Sequence, residues 1–597
     1  MCGLAALALP HDEALLDRLS AALEHRGPDE QGVHRDGDVA LVARRLAILD
    51  LEGGHQPMEG AGGTVIAFNG EIFNTPELRA ELEREGYPFR TDHSDTELVL
   101  ALYETRGEDF LHLLNGMFAF VIHDRRRGRL FGARDRFGIK PLYFARPDSG
   151  FAAASELKTL LLVPGVRREL DRESLFHYLS LRFVPGERSI LRGVDRLPPA
   201  HRFSYDLATR ELGVDRWWRL GFEHERGVAR DEWVARLREA LRDAVVRWSL
   251  SDVPIACSLS GGLDSSAVTA LLAESGHGDL RTFSLGFEGG EDELPLAREL
   301  ASRYGTRHHE HVARPEELLD DLLPMVWSLD EPYGGGLPSW YVFRFMGEQV
   351  KVGHTGTGGD ELFGNYRRFV PFESGRLAAL RRRPVRRYHF EPSYYFTDGE
   401  KRELGLDGPD TSALLQRVYD ESGSRSPRDS VLYLDVSTQL PDEFLHMTDR
   451  FSMAWSLEAR TPFLDHELVE LVARIPPGLR TSPDDPKGLL RDAVRDLLPP
   501  EHLGAPKRTF VFPLARWLRG ELRPLAERLL ADDHLRAQGI FRPVLRERLL
   551  EPHLAGRSDE SERLWPLLMF QLWHLLYVEE GLTEAPTFSW REIEAAA

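Results

Sequence analysis

A short apolar run, a turn with two glycines and the start of a helix follow one another without a break in residues 253–275, and few folds accept that order. Val253-Pro254-Ile255-Ala256-Cys257-Ser258-Leu259 reads as a buried strand and Ser260-Gly261-Gly262-Leu263-Asp264-Ser265 as the turn. Ser266-Ala267-Val268-Thr269-Ala270-Leu271-Leu272 reads as a helix that ends near Gly276. Glycines let backbone N–H groups approach anionic oxygens, and a helix start favours negative charge, so the turn is an anion cradle. It lacks the Gly-Lys-Ser/Thr ending of a Walker A loop, which argues against simple γ-phosphate transfer.

The same alternation continues downstream. Arg281 to Phe287 reads as the next strand, Leu294 to Tyr304 as a helix stopped by Gly305, and Thr306 to Val312 as a third strand. A further strand, Val350-Lys351-Val352, leads into Gly353-His354-Thr355-Gly356-Thr357-Gly358-Gly359-Asp360. Strands and helices joined by short turns predict a doubly wound parallel sheet covered by helices. Asp264 and Asp360 then stand at the carboxyl ends of neighbouring strands, where two carboxylates suit one hydrated magnesium ion. His308 and His309 point to opposite faces of their strand, and no cysteine or carboxylate triad completes a zinc site there. Before the first strand, Trp233, Leu237, Leu241, Val245 and Trp248 recur at helical spacing, and Leu564 to Leu576 is apolar nearly all round, as a buried helix would be.

The first two hundred residues have another texture. Alternating runs at Val39–Val42, Thr64–Phe68, Met117–Ile122 and Arg129–Phe131 predict strands, with helices only near 13–23, 77–84 and 96–105. Cys2 directly follows Met1. Removing that methionine would place a thiol beside its own α-amine, whose pKa of about 8 lets it serve as the base that activates the thiol. The segment from Leu197 to Trp218 shows no sustained period and reads as a bridge to the second half.

Several short strings then fall in order: His25-Arg26-Gly27-Pro28-Asp29, Arg45-Leu46-Ala47-Ile48, Asn69-Gly70-Glu71-Ile72-Phe73-Asn74, Ser94-Asp95-Thr96-Glu97, Asp135-Arg136-Phe137-Gly138-Ile139-Lys140 and Ser155-Glu156-Leu157-Lys158. This series resembles the N-terminal-nucleophile glutaminase domain of class II amidotransferases. The Ser-Gly-Gly-Leu-Asp-Ser turn resembles the pyrophosphate loop of ATP pyrophosphatases. Gln439 to Leu445, Asp449 to Ala454 and Ser456 to Asp465 resemble the helical half of asparagine synthetases. Together they identify the chain with the glutamine-hydrolysing asparagine synthetase family over nearly its whole length.

That resemblance implies an αββα glutaminase domain over residues 1–205 and a parallel-sheet synthetase domain with a helical C-terminal part over 206–597. It implies Cys2 as nucleophile, with the Asn69 side chain and the Gly70 N–H as oxyanion hole. Arg45 suits the α-carboxylate of glutamine by bidentate pairing, and Asp95 with Glu71 suits its α-ammonium. For ATP it implies Leu259, Ser260, Gly261, Gly262, Asp264, Ser265, Leu285, Thr355 and Gly356. For Mg2+ it implies Asp264 and Asp360, and Lys507 would steady charge as an acyl-adenylate forms. The implied reaction amidates a carboxylate, with aspartate the leading acceptor. Asparagine synthetases usually carry an acid where this chain has Thr357, and Gly334-Gly335-Gly336 departs from their usual run. Another carboxylate, such as a uronic-acid sugar or a peptide or secondary-metabolite acid, therefore stays open.

Composition narrows the rest. Only Cys2 and Cys257 are present, which fits a reducing compartment, and the start has no basic region of a secretory signal, so a cytoplasmic enzyme is expected. No apolar stretch reaches membrane-spanning length. The formal charge of −21 disfavours nucleic acid as a partner and with it a tRNA-modifying adenylating enzyme. Arg376, Arg381, Arg382, Arg383, Arg386 and Arg387 run against that balance and read first as a solvated helix face. Partners are thus small molecules, with a homodimer as one assembly left open.

Overall fold

Cys2–Ala8 is apolar at almost every position and buried on both faces, so it lies inside a sheet with layers above and below. The computed structural model, which describes residues 2–277, 279–288, 293–364, 394–482, 485–504 and 513–595, puts it there. One six-stranded sheet runs in the order Val194–Arg196, Tyr143–Ala145, Phe151–Ala154, Cys2–Ala8, Val39–Arg45, Glu30–Asp36. The second runs Leu212–Arg216, His201–Asp206, Arg129–Arg134, Gly116–Asp124, Thr64–Ile72, Met58–Glu59. Neighbouring strands in both are antiparallel.

Side-chain alternation builds the four layers. Leu4 and Ala6 meet Ala67, Ala119 and Val121 between the sheets. Ala5 and Leu7 turn outward onto Leu15, Leu16 and Leu19 of helix Glu13–Ala22. On the far side, Ile66, Phe68 and Phe120 turn outward onto Leu98, Val99 and Leu102 of helix Asp95–Arg106. The result is the expected αββα sandwich.

One expectation changes. Leu197 to Trp218 is not a plain bridge, because His201–Asp206 and Leu212–Arg216 pair as a hairpin and extend the second sheet. The boundary expected after residue 205 falls inside that first strand. Leu212–Arg216 is an edge strand, half-exposed at Leu212 and exposed at its other positions, so it carries no apolar period to read.

The second half holds five parallel strands in the order Arg307–Ala313, Arg281–Phe287, Ile255–Ser258, Val352–His354, Glu458–Arg460. Strand order reverses at Ile255–Ser258, since the chain first adds strands to one side and then to the other. A crevice opens at such a reversal, beyond the carboxyl ends of the two central strands. Helix Arg230–Arg247 buries Trp233, Leu237, Leu241 and Val245, as its spacing predicts. Helix Ser561–His574 is buried from Leu564 to its end.

The halves are pinned by buried ions. Arg26 makes a two-pronged contact with Asp449, at 2.8 and 3.0 Å, and also reaches Glu156 at 2.9 Å. Arg450 answers from the other side, to Glu156 at 3.4 Å and Asp330 at 3.1 Å, and Lys158 reaches Asp330 at 3.3 Å. All six side chains are buried. Such a cluster holds only with every member present, because removing one charge leaves its partner desolvated.

Candidate active site

The first site lies where the two sheets of the sandwich face each other. Cys2 sits opposite Arg45 on one sheet, and Asn69-Gly70-Glu71 occupies the facing strand of the other. The backbone N–H of Cys2 donates to Asn69 Oδ1 at 3.1 Å. That contact leaves the amide nitrogen of Asn69 as a donor in waiting: Nδ2 is buried and has no hydrogen-bond partner among the described residues. An unmet buried donor normally costs stability, so its persistence beside the thiol points to a use. Gly70 has no room for a side chain, since a Cβ there would lie 2.2 Å from the Met117 carbonyl oxygen.

Burial pushes the Cys2 thiol above its ordinary pKa. The thiol is therefore not ionised in advance and needs a base at hand. Gln56, which the motifs did not single out, donates through Nε2 toward Cys2 Sγ at 3.7 Å, and its Oε1 accepts from Phe68 N–H at 2.7 Å. Arg26 Nε donates to the Cys2 carbonyl at 3.3 Å, so the interdomain ions touch the backbone of Cys2 itself.

Three carboxylates crowd the other end of this site. Burial, and then the nearby Asp95, hold the Glu71 carboxyl well above its usual range. Asp95 accepts from Ile72 N–H at 3.1 Å and is raised to about 6, chiefly by burial. Glu458 comes from the edge strand of the second half, pairs with Arg460 at 2.6 Å and adds its field to both acids. A buried acid pair held in this way suits an ammonium group. Below about pH 6 Asp95 is protonated, and its part of that attraction is lost. KM for glutamine is expected to rise as pH falls through about 6, with a smaller change in kcat, and steady-state glutaminase assays between pH 5 and 8 read it.

Arg45 is in place but occupied. Its guanidinium donates to the carbonyls of Leu49, Asp50 and Leu51 and pairs with Glu30 at 2.9 Å. An incoming carboxylate would take the place of Glu30, the partner on the more open side.

The second site fills the crevice at the strand reversal. Gly261 adopts φ +75°, a left-handed turn that glycine accepts without strain, and Gly262 caps helix Leu263–Glu274. Ser265 Oγ ties the turn together, at 2.9 Å from Ser260 Oγ and 3.2 Å from Ser260 N. Thr355 and Gly356 follow the neighbouring strand, with Thr355 N–H donating to the Arg460 carbonyl at 2.8 Å. A Cβ on Gly356 would lie 2.8 Å from Ser265 N, and one on Gly359 would lie 2.7 Å from the Asp264 carboxyl carbon. Glycine at both positions is what lets the two loops meet. Leu285 lies on the adjacent strand, half-exposed.

Asp264 and Asp360 are brought together by a residue the motifs did not reveal. Lys487 is buried, has φ +60°, and reaches Asp360 Oδ1 at 2.6 Å and Asp264 Oδ2 in a closer contact still. The two aspartates outweigh its loss of water and raise its pKa. A cation is thus already accommodated between these carboxylates, and the pair fits Mg2+ in donor type and charge. Lys507 and the Arg376–Arg387 cluster lie outside the described residues.

An αββα sandwich with a cysteine at residue 2, joined to a parallel sheet with a glycine turn at its reversal, is the architecture of a glutamine amidotransferase fused to a synthetase. Residues 1–218 match the glutamine amidotransferase domain family and residues 236–575 match the asparagine synthase family. Asparagine synthetase [glutamine-hydrolyzing] 1 of Bacillus subtilis is 33% identical over 97% of both chains. Asparagine synthetase 3 of the same organism is 33% identical over 84% of this chain and 86% of its own, and the enzyme of Sandersonia aurantiaca is 30% identical over 83% of each. The chain belongs to the glutamine-hydrolysing asparagine synthetase family: it is a carbon–nitrogen ligase with glutamine as amido donor. No helix among the described residues is long and apolar enough to cross a membrane.

The Asn69 amide leads to a second test. Asn69→Ala is expected to lower glutaminase kcat about 10²–10³-fold, the usual cost of one oxyanion donor, with KM little changed. Equal loss in KM and kcat would assign Asn69 to substrate binding instead.

Proposed function

We propose that the enzyme makes asparagine from aspartate, with AMP, pyrophosphate and glutamate as the other products. Cys2 Sγ attacks the side-chain amide of glutamine, and its proton passes to the α-amine left by loss of Met1. The developing oxyanion takes hydrogen bonds from Asn69 Nδ2 and Gly70 N–H. Ammonia leaves, and water releases glutamate from the thioester. Asp95 and Glu71 hold the α-ammonium, and Arg45 holds the α-carboxylate.

In the second half the acceptor carboxylate attacks the α-phosphorus of ATP, and pyrophosphate departs. Residues 259–265 cradle phosphate oxygens with backbone N–H groups, Thr355 and Gly356 line the adenylate, and Leu285 meets the base through its main chain. Asp264 and Asp360 would hold Mg2+, whose charge would offset that of the leaving pyrophosphate. Lys487 adds a fixed positive charge beside them. Ammonia then attacks the acyl carbon and AMP is released. An enclosed passage between the halves keeps ammonia neutral and therefore nucleophilic.

The observation that carries this reading is the pairing of two constellations, Cys2 beside the Asn69 amide and Asp264 with Asp360 around the Lys487 ammonium, in one pinned body. The test is product analysis with glutamine, ATP and aspartate. Asparagine formed in step with pyrophosphate supports it; glutamine hydrolysis without asparagine removes aspartate as acceptor. One observation favours a second reading. Thr357, half-buried beside the cradle, accepts from Thr355 Oγ1 at 3.1 Å and brings a neutral hydroxyl where the family resemblance implies an acid. A different carboxylate would then be amidated, and pyrophosphate release across a panel of acids would find it.

A further inference from the structure

We propose that His34, Asp36 and His123 form a binding site for a divalent late-transition-metal ion of the zinc type, clamped across the two sheets of the glutaminase sandwich. Residues two apart on a strand share a face, so His34 and Asp36 on Glu30–Asp36 both turn toward the second sheet. His123 continues the inward line of Ala119 and Val121 on strand Gly116–Asp124. The three meet where the apolar core between the sheets gives out. Their ligand atoms lie within 4.8 Å of one another, and the imidazoles are 5.9 Å apart between centroids.

A polar seal made only of hydrogen bonds would satisfy its buried members. His123 is 3% exposed, and its Nδ1 has no hydrogen-bond partner among the described residues. Burial holds both imidazoles below their ordinary pKa, which keeps them in the neutral, ligating form. Two imidazoles and one carboxylate select zinc, cobalt or nickel over magnesium or calcium. Ligands on one tetrahedral ion stand about 3.4 Å apart at bond lengths of about 2.1 Å, so side-chain rotations of about 1 Å close the site.

A cation already competes for this place. Arg125 approaches His34 Nε2 at 3.5 Å and pairs with Asp36 at 3.2 Å and Glu59 at 2.6 Å. Metal entry must turn Arg125 out to solvent, where it is already one-third exposed. The site is separate from the catalytic one: His123 is paired with Val65, four residues or about 13 Å along the strand from Asn69.

The experiment is titration of the full-length enzyme with Co2+, read by visible absorption and by calorimetry, with Zn2+ as competitor. One equivalent with d–d bands that Zn2+ displaces is expected. His34→Ala should weaken that binding about ten- to hundredfold, and Arg125→Ala should tighten it, while both variants keep glutaminase activity. Co2+ binding that is absent, or unchanged in both variants, overturns the proposal. An active variant that loses binding only when His123 is changed to Asn, and not when His34 is, removes the clamp across the sheets.

Discussion

Cys2→Ala is expected to abolish glutamine-dependent synthesis, by about 10⁴-fold or more, while synthesis from added ammonium salts stays within a few-fold of wild type. The reasoning is local. The thiol is buried and raised in pKa, and alanine removes only the sulfur. The contact between Cys2 N–H and Asn69 is made by backbone and survives the change. The Arg26 contact is to the Cys2 carbonyl and also survives. The charge cluster that pins the halves is therefore undisturbed, and the synthetase site should not feel the loss. Parallel assays with glutamine and with ammonium chloride separate the outcomes. Equal loss in both would mean that Cys2 supports the whole molecule rather than one reaction.

The second large effect belongs to Asp264→Asn. Pyrophosphate release should fall about 10²–10³-fold, and basal glutaminase should be spared. The substituted amide keeps the size of the side chain but halves the negative charge around Lys487, leaving that buried ammonium with Asp360 as its remaining carboxylate of the two. Lys487 then loses part of what raises its pKa, and the site loses one of two groups suited to a metal ion. Mg2+ titration of pyrophosphate release should show a raised half-saturation as well as a lowered maximum. A variant with normal release would remove Asp264 from phosphate and metal handling altogether.

Residues carried by tight local patterns were legible before any coordinates. The glycine turn was legible as a turn between strand and helix, and Gly261 takes the left-handed φ of +75° that glycine accepts without strain. Asn69, Gly70 and Glu71 sit together on one strand, so their proximity to each other needed no fold. What escaped was made by distance along the chain. Lys487 is 223 residues from Asp264 and sits in an ordinary-looking stretch, so nothing local distinguishes it from a surface lysine. Glu458 acts on Asp95 from a strand of the other half, and Gln56 reaches Cys2 from a loop. Cys2–Ala8 offered no alternation because both of its faces are covered, and Leu212–Arg216 offered none because it is an edge. Periodicity reports strands with one wet face, and these two have either none or nearly nothing else.

The seam of Arg26, Glu156 and Lys158 against Asp330, Asp449 and Arg450 bears on engineering. A chimera that grafts this front half onto the back half of a cousin would set each buried charge against a surface that had not been matched to it. Even one mismatch in such a lock costs several kcal/mol, enough to open the joint. Exchange of halves should therefore succeed only when the six side chains travel as one inherited unit.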